Sequence, residues 1–334
     1  MTLGRFFLVI AVSALCLGCK DSLDHTAQAP APASLSAAAT AAKPAVPKKI
    51  ALVMKTLTNP FFIEMEHGAR RAEKEFGVEL QVKTGSDETA VEQQIQIVDD
   101  LIQAHVDAIV IAPGDSQRVV PILKKAQATG IVIVNIDNQL DRDVVASQKM
   151  TPPPFVSTDN EAGAYSAAKY LAEQAKKPTQ ALIIEGLRSA ANGQMRLAGA
   201  KRAFAENPNV HVVASESGEW KIDVAHDLAQ RMFQAHPQVR MVFCSNDMMA
   251  LGVVKYLQDS GRKDVLVAGY DALDEARAAI KAGTLAATID QQAAEQGYQG
   301  VALAVRALKG ESVPATVTVD SHLVTAASMG QASN

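Results

Sequence analysis

The sequence predicts an α/β protein built as two doubly wound, Rossmann-like lobes. Three observations carry that expectation. The chain has 334 residues, more than one hydrophobic core usually supports. From residue 50 onward, short apolar runs bounded by turn residues alternate with amphipathic segments, the pattern of βαβ units. A proline-rich break at Pro152-Pro153-Pro154 interrupts the alternation, which then restarts as a second lobe of the same architecture without detectable residue-by-residue identity.

In the first lobe the apolar runs at 50–54, 79–84, 108–112 and 131–136 read as strands. Helical patterns fall between them at 60–76, 89–104 and 117–129. The second of these sets Val91, Ile95, Val98 and Ile102 on one face, with Glu92, Asp99 and Asp100 off it. In the second lobe, strands are expected at 181–185, 211–215, 241–245 and 265–269, with a further one at 286–289. Helices are expected at 160–174, 193–206, 222–234, 248–259 and 274–282.

Composition narrows the function. The chain is 48% hydrophobic and 20% charged with a formal net charge of −4, and it has no basic cluster beyond pairs such as Arg70-Arg71. A nucleic-acid surface is not expected. Arg5 followed by the apolar stretch 6–17 reads as an export signal, too short to span a bilayer. Its end, Cys16-Leu17-Gly18-Cys19-Lys20, resembles a bacterial lipoprotein signal, although Cys16 stands where Leu is usual. The expectation is a cleaved signal over 1–18 and an acylated Cys19, hence a periplasmic or cell-surface protein anchored in a membrane. Residues 19–47, rich in Ala, Pro, Ser and Thr, bury too little surface to offset their ordering entropy and read as a tether. With only Cys16, Cys19 and Cys244 in the chain, neither a disulfide framework nor a four-cysteine zinc site is available. Cys244, inside an apolar run, reads as a small buried residue.

The segment Lys55 to Phe62, KTLTNPFF, carries the most functional information. It follows the first strand and opens the first helix, where ligands bind in open α/β sheets. There it offers a cation (Lys55), an amide (Asn59) and two rings (Phe61, Phe62). A sugar has apolar C–H faces that stack on aromatics and an equator of hydroxyls that need fixed donors and acceptors. The plainer reading makes Asn59 the cap and Pro60 the first residue of the helix, with both rings in the core. Other strand ends add Asp137-Asn138-Gln139, Asn246-Asp247, Tyr270-Asp271 and Asp290-Gln291. Singly, each is an ordinary cap or Asx turn. Together, Asp137, Asn246, Asp271 and Gln291 suit vicinal hydroxyls in one convergent pocket.

TLTNPFF (56–62), VNIDNQ (134–139), STDNEAG (157–163), VFCSNDMMALG (242–252), VAGYD (267–271) and AATIDQ (286–291) form an ordered set. Over residues 48 to about 324 the chain resembles the periplasmic sugar-binding proteins that serve ABC transporters, in the group containing the ribose- and allose-binding proteins. The resemblance implies the type I periplasmic binding protein fold, with the lobes joined by a three-segment hinge near Thr158, Gln291 and Asp320. It divides the chain into 48–157 plus about 291–320 and 158–290 plus about 321–334. It implies a ligand set of Lys55, Asn59, Phe61, Phe62, Asp137, Asn138, Thr158, Asn160, Arg196, Trp220, Asn246, Asp271 and Gln291, with no cofactor and no metal. Asn138 stands where ribose-type members have an arginine. Losing that forked donor changes which hydroxyls are satisfied, so a hexose, another pentose or a polyol is as open as ribose. The implied partners are a monosaccharide or polyol and the membrane permease of an ABC transporter, with a membrane sensor as an alternative receiver of the closed form. A monomer is expected.

Two other classes fit less well. A hydrolase or dehydrogenase on this fold would need a nucleophile or phosphate motif, and the chain has no G-x-G-x-x-G after the first strand, no P-loop, no G-x-S-x-G and no H-E-x-x-H. A sugar-responsive repressor would carry a helix-turn-helix where this chain has its export signal.

Overall fold

The computed structural model describes residues 47–331. The export signal, Cys19 and nearly all of the tether lie outside the described residues. The remainder forms two six-stranded sheets, each flanked by helices.

The first lobe runs β1 (Lys49–Met54), α1 (Pro60–Phe76), β2 (Glu79–Thr84), α2 (Val91–Gln103), β3 (Ala108–Ile111), α3 (Val120–Ala128), β4 (Val132–Ile136), α4 (Arg142–Ser147) and β5 (Phe155–Ser157). The second runs α5 (Asn160–Ala172), β6 (Thr179–Glu185), α6 (Ala191–Ala205), β7 (Val210–Ser217), α7 (Ile222–Ala235), β8 (Val239–Cys244), α8 (Asp247–Asp259), β9 (Leu266–Ala268), α9 (Asp274–Lys281) and β10 (Ala287–Asp290). The chain then returns to the first lobe with α10 (Ala293–Leu308) and β11 (Thr316–Thr318), and ends in the second with β12 (His322–Thr325) and α11 (Ala326–Gln331). Strand orders are β2-β1-β3-β4-β5-β11 and β7-β6-β8-β9-β10-β12. Both are doubly wound, and β12 pairs antiparallel on β10.

The central strands are apolar on both faces because helices cover both. Ile50 to Met54 and Ala108 to Ile111 are fully buried. Two clusters fill the two sides of the first sheet, one holding Leu52, Met54 and Phe62, the other Ala51, Val53 and Leu123. In the second lobe Ile183, Phe243 and Tyr270 anchor the corresponding packing. The chain crosses between the sheets three times, between β5 and α5, between β10 and α10, and between β11 and β12.

The helix α10 was not among the expected elements, and its glycines explain why. Glycine weakens a helical pattern. Here it permits close packing: a Cβ on Gly297 would stand 2.0 Å from Met65 O of α1, and one on Gly68 of α1 would stand 1.6 Å from Ala294 O. The outer strands β11 and β12, at three and four residues, offer too little apolar run to be seen.

Candidate ligand-binding site

Twelve residues from both lobes line a small cavity: Lys55, Asn59, Phe61, Phe62, Glu88, Asp137, Asn192, Arg196, Trp220, Asn246, Asp271 and Gln291.

On the first-lobe side, Asn59 caps α1 by accepting from Phe61 N at 3.1 Å, and Pro60 takes the first helical position. The amide also donates to Glu88 Oε1 at 2.8 Å. Phe61 and Phe62 meet edge to face at 5.0 Å between centroids, and both are buried. Cap, core and cavity wall are therefore the same residues. Lys55 Nζ lies 2.9 Å from Asp137 Oδ2 and 4.0 Å from Glu88 Oε2, and 5.6 Å from the Phe62 ring centroid. Burial pushes the Glu88 carboxyl above its ordinary value, against the pull of Lys55 and the Asn59 bond.

On the second-lobe side, Arg196 of α6 is held from several directions. Its Nε donates to Asn160 Oδ1 at 2.8 Å, Nη1 to Ser245 O at 2.9 Å and Nη2 to Gln291 Oε1 at 3.3 Å. Nη1 is 3.6 Å from Asp271 Oδ1, and the guanidinium stacks 3.7 Å from the Tyr270 ring centroid and 5.6 Å from that of Trp220. Gln291 Nε2 donates to Asp271 Oδ1 at 2.6 Å. Asn246 caps α8 through Met249 N at 2.9 Å. Trp220 fills a slot cut by two glycines: a Cβ on Gly186 would stand 2.0 Å from the indole and one on Gly193 3.1 Å.

Behind Asp271, the buried Asp247 fixes the loop. It accepts from Thr288 Oγ1 at 2.7 Å and from Leu273 N at 2.9 Å, and Thr288 Oγ1 accepts from Ala272 N. Burial raises Asp247 to about 6, and burial together with the Asp247 charge raises Asp271 well above the carboxylate range against the pull of Arg196. Three lining residues have left-handed backbone, Asp137 (φ 61°), Trp220 (φ 64°) and Asp271 (φ 127°), conformations that L-residues rarely hold without a compensating role. Two buried polar atoms of the lining, Asn192 Oδ1 and Trp220 Nε1, have no hydrogen-bond partner among the described residues, and Asp137 Oδ2 is answered by the Lys55 ion pair. An acceptor-rich carboxylate, an amide oxygen and an indole N–H match a ring of hydroxyls.

Ten of the thirteen residues expected from sequence line the cavity. Asn138, Thr158 and Asn160 do not. Asn138 donates to Pro113 O and accepts from Ser116 Oγ and Asn192 N; the Thr158 hydroxyl meets Tyr270 Oη at 3.3 Å; Asn160 orients Arg196. All three are buried behind the wall with their polar atoms engaged by protein. Glu88 and Asn192 were missed. Glu88 sits beyond the end of β2, the same topological place that flagged the other polar residues. Asn192 lies one turn before Arg196 on α6, so helical spacing would have found it.

A model of the periplasmic binding protein domain matches residues 50–312. The D-ribose/D-allose-binding protein of Pseudomonas aeruginosa is 40% identical over 267 residues, covering 79% of this chain and 83% of that one. The D-allose-binding periplasmic protein of Escherichia coli K12 is 34% identical over 283 residues, covering 82% and 91%. Among solved structures, an ABC transporter periplasmic solute-binding protein from Actinobacillus succinogenes with bound D-allose superposes with a TM-score of 0.81 at 34% identity, covering 85% of this chain and 99% of that chain. The chain belongs to the periplasmic binding protein domain family.

Proposed function

We propose that this protein captures a monosaccharide or polyol between its two lobes outside the cytoplasm and delivers it to an ABC importer. The observation that carries the reading is the small two-lobe cavity, walled by Phe61, Phe62 and Trp220 and ringed by Lys55, Asp137, Arg196, Asn246, Asp271 and Gln291. Because the wall draws on both lobes, a ligand gains its full contacts only when they meet, so binding favours the closed form. The bodies that move are 48–157 plus 291–320 and 158–290 plus 321–334, about the crossings at Thr158, Gln291 and Asp320. Phe61 and Asp271 also border the open groove beside Pro60 and Ala293, which gives the ligand its way in. The site binds without transforming: it orders polar groups around a ring and uses none as a nucleophile. The protein acts as a monomer held to a membrane by lipid on Cys19.

Titration calorimetry of the purified protein with D-allose, D-ribose, D-arabinose and myo-inositol tests the ligand class. Saturable one-to-one binding of at least one of them, with a raised melting temperature, is expected. No heat and no shift with any of these or with a wider panel of monosaccharides and polyols would sink the reading.

A further inference from the structure

The helix α6, which carries Arg196, has no cap of its own. Its N-cap residue is Ala190 (φ −104°, ψ 123°), with no side-chain oxygen to accept from the first turn. Two groups from the other lobe accept instead. Ser116 Oγ accepts from Ala191 N at 3.0 Å, and Asn138 Oδ1 accepts from Asn192 N at 3.2 Å. Ser116 N in turn donates to Ser189 O at 3.0 Å, and Asn192 Nδ2 to Asp137 Oδ1 at 3.3 Å. Asn138 is oriented for this task, since its Nδ2 donates to Pro113 O at 3.0 Å and leaves Oδ1 toward α6. Ser116, Asn138 and Asn192 are all buried. Another contact between the lobes, Lys221 Nζ to Asp87 Oδ1 at 3.6 Å, is part-exposed and worth little.

We propose that Ser116 and Asn138 form a latch: they cap α6 in trans only when the lobes meet, and so stabilise the closed form independently of which sugar is held. The inference rests on the hinge-closure reading above. Opening the lobes exchanges each of these buried hydrogen bonds for bonds to water at a net loss of stability, so the capped pair favours closure. The stabilisation enters the apparent affinity of every ligand equally, because it acts on the open-to-closed equilibrium and not on the ligand. Asn138 would then act on the closure equilibrium and not on hydroxyls.

The test uses Ser116→Ala and Asn138→Ala in the full chain, measured by small-angle scattering without sugar and by calorimetry with D-allose and D-ribose. Ser116→Ala removes only a hydroxyl, and so covers the case in which Asn138→Ala, which also strands Pro113 O, fails to fold. Each variant is expected to weaken D-allose and D-ribose by the same factor, about three- to tenfold, the scale of one lost cap. The sugar-free radius of gyration is expected to shift toward larger values. Unchanged affinities would overturn the latch, and a changed D-allose to D-ribose ratio would overturn it by making these residues ligand contacts. Should neither sugar bind the parent protein, the ligand assignment fails separately, and the sugar-free scattering decides alone: equal radii for parent and variants overturn the latch.

Discussion

The two halves of the cavity hold their cations in different ways. Lys55, in the first lobe, is answered by two carboxylates, Asp137 and Glu88, and by no backbone group. Arg196, in the second, is answered by an amide, a backbone carbonyl, the Gln291 side chain and Asp271, and is stacked on Tyr270. The difference is chemical as well as geometric. Burial already favours the neutral form of Glu88, whereas an amide oxygen or a carbonyl takes up no proton at neutral pH. Asp271 is raised too, but Arg196 keeps its neutral acceptors, so the second half is the more fixed of the two. A small ring entering between them meets one wall that adjusts more readily than the other.

The largest expected effect follows from that contrast. Arg196→Met should lower the unfolding free energy by about 3–5 kcal/mol, because Ser245 O and Asn160 Oδ1 lose a buried donor and Asp271 loses its cation. Lys55→Met should cost less, about 1–2 kcal/mol, since burial already favours the neutral form of Glu88 and Asp137 keeps the Asn192 amide. Urea denaturation at pH 7 measures both. Equal losses would erase the distinction between an adjustable and a fixed half.

The same contrast bears on what the sequence made legible. The strands of both lobes were readable because they are buried on two faces and so appear as unbroken apolar runs, as at Ile50 to Met54. Lining residues close after the ends of such strands, Asp137, Asn246 and Asp271, were readable for the same reason. Glu88 was not, because the loop after β2 is polar throughout, Ser-Asp-Glu-Thr at 86–89, and gives no contrast. Nor was the placement of Asn138 behind the wall. Its neighbour Asp137 turns into left-handed backbone, which redirects the next side chain toward Pro113 and α6, and no residue type announces that turn. The double duty of Asn59 shows why the plain and the functional readings were not rivals: its oxygen caps the helix while its nitrogen holds Glu88.

The second expected effect is on pH. The buried Asp247 supports the Asp271 loop with two hydrogen bonds at its carboxylate oxygens. Its folded value of about 6 lies above the ordinary 3.8, so between these values the folded protein binds more protons than the unfolded chain. Stability from this group is present below about pH 4 and is lost as pH rises through 6. At ~1.4 kcal/mol per unit, the change is about 3 kcal/mol. Asp271 and Glu88, also raised, tilt the curve the same way and stay in place in a variant. Asp247→Asn should therefore flatten, without abolishing, the fall in unfolding free energy between pH 4 and 6.5. Parallel curves for parent and variant would remove Asp247 from the account.

The smallest effect separates the aromatic walls. Phe62 lies in the main core of the first lobe as well as on the cavity, so Phe62→Ala should cost about 3–5 kcal/mol of stability alongside affinity. Trp220 is set differently. It sits on two consecutive left-handed residues, Glu219 (φ 56°) and Trp220 (φ 64°), in a slot that exists because residues 186 and 193 are glycine. A backbone held in that conformation pays for itself only if the ring is needed where it is. Trp220→Ala should then weaken D-allose by about 1–3 kcal/mol through lost aromatic contact and a loosened cavity, while Trp220→Phe, which keeps a flat apolar face, should lose less than about 1 kcal/mol. The comparison is made by calorimetry on the two folded variants. Gly186→Ala supplies the converse, because its Cβ forces the indole out of its slot without removing it, and it should weaken binding as the Ala variant does. If Trp220→Ala binds as the parent does, the ring is packing and nothing more, and the second lobe faces the sugar with polar groups alone.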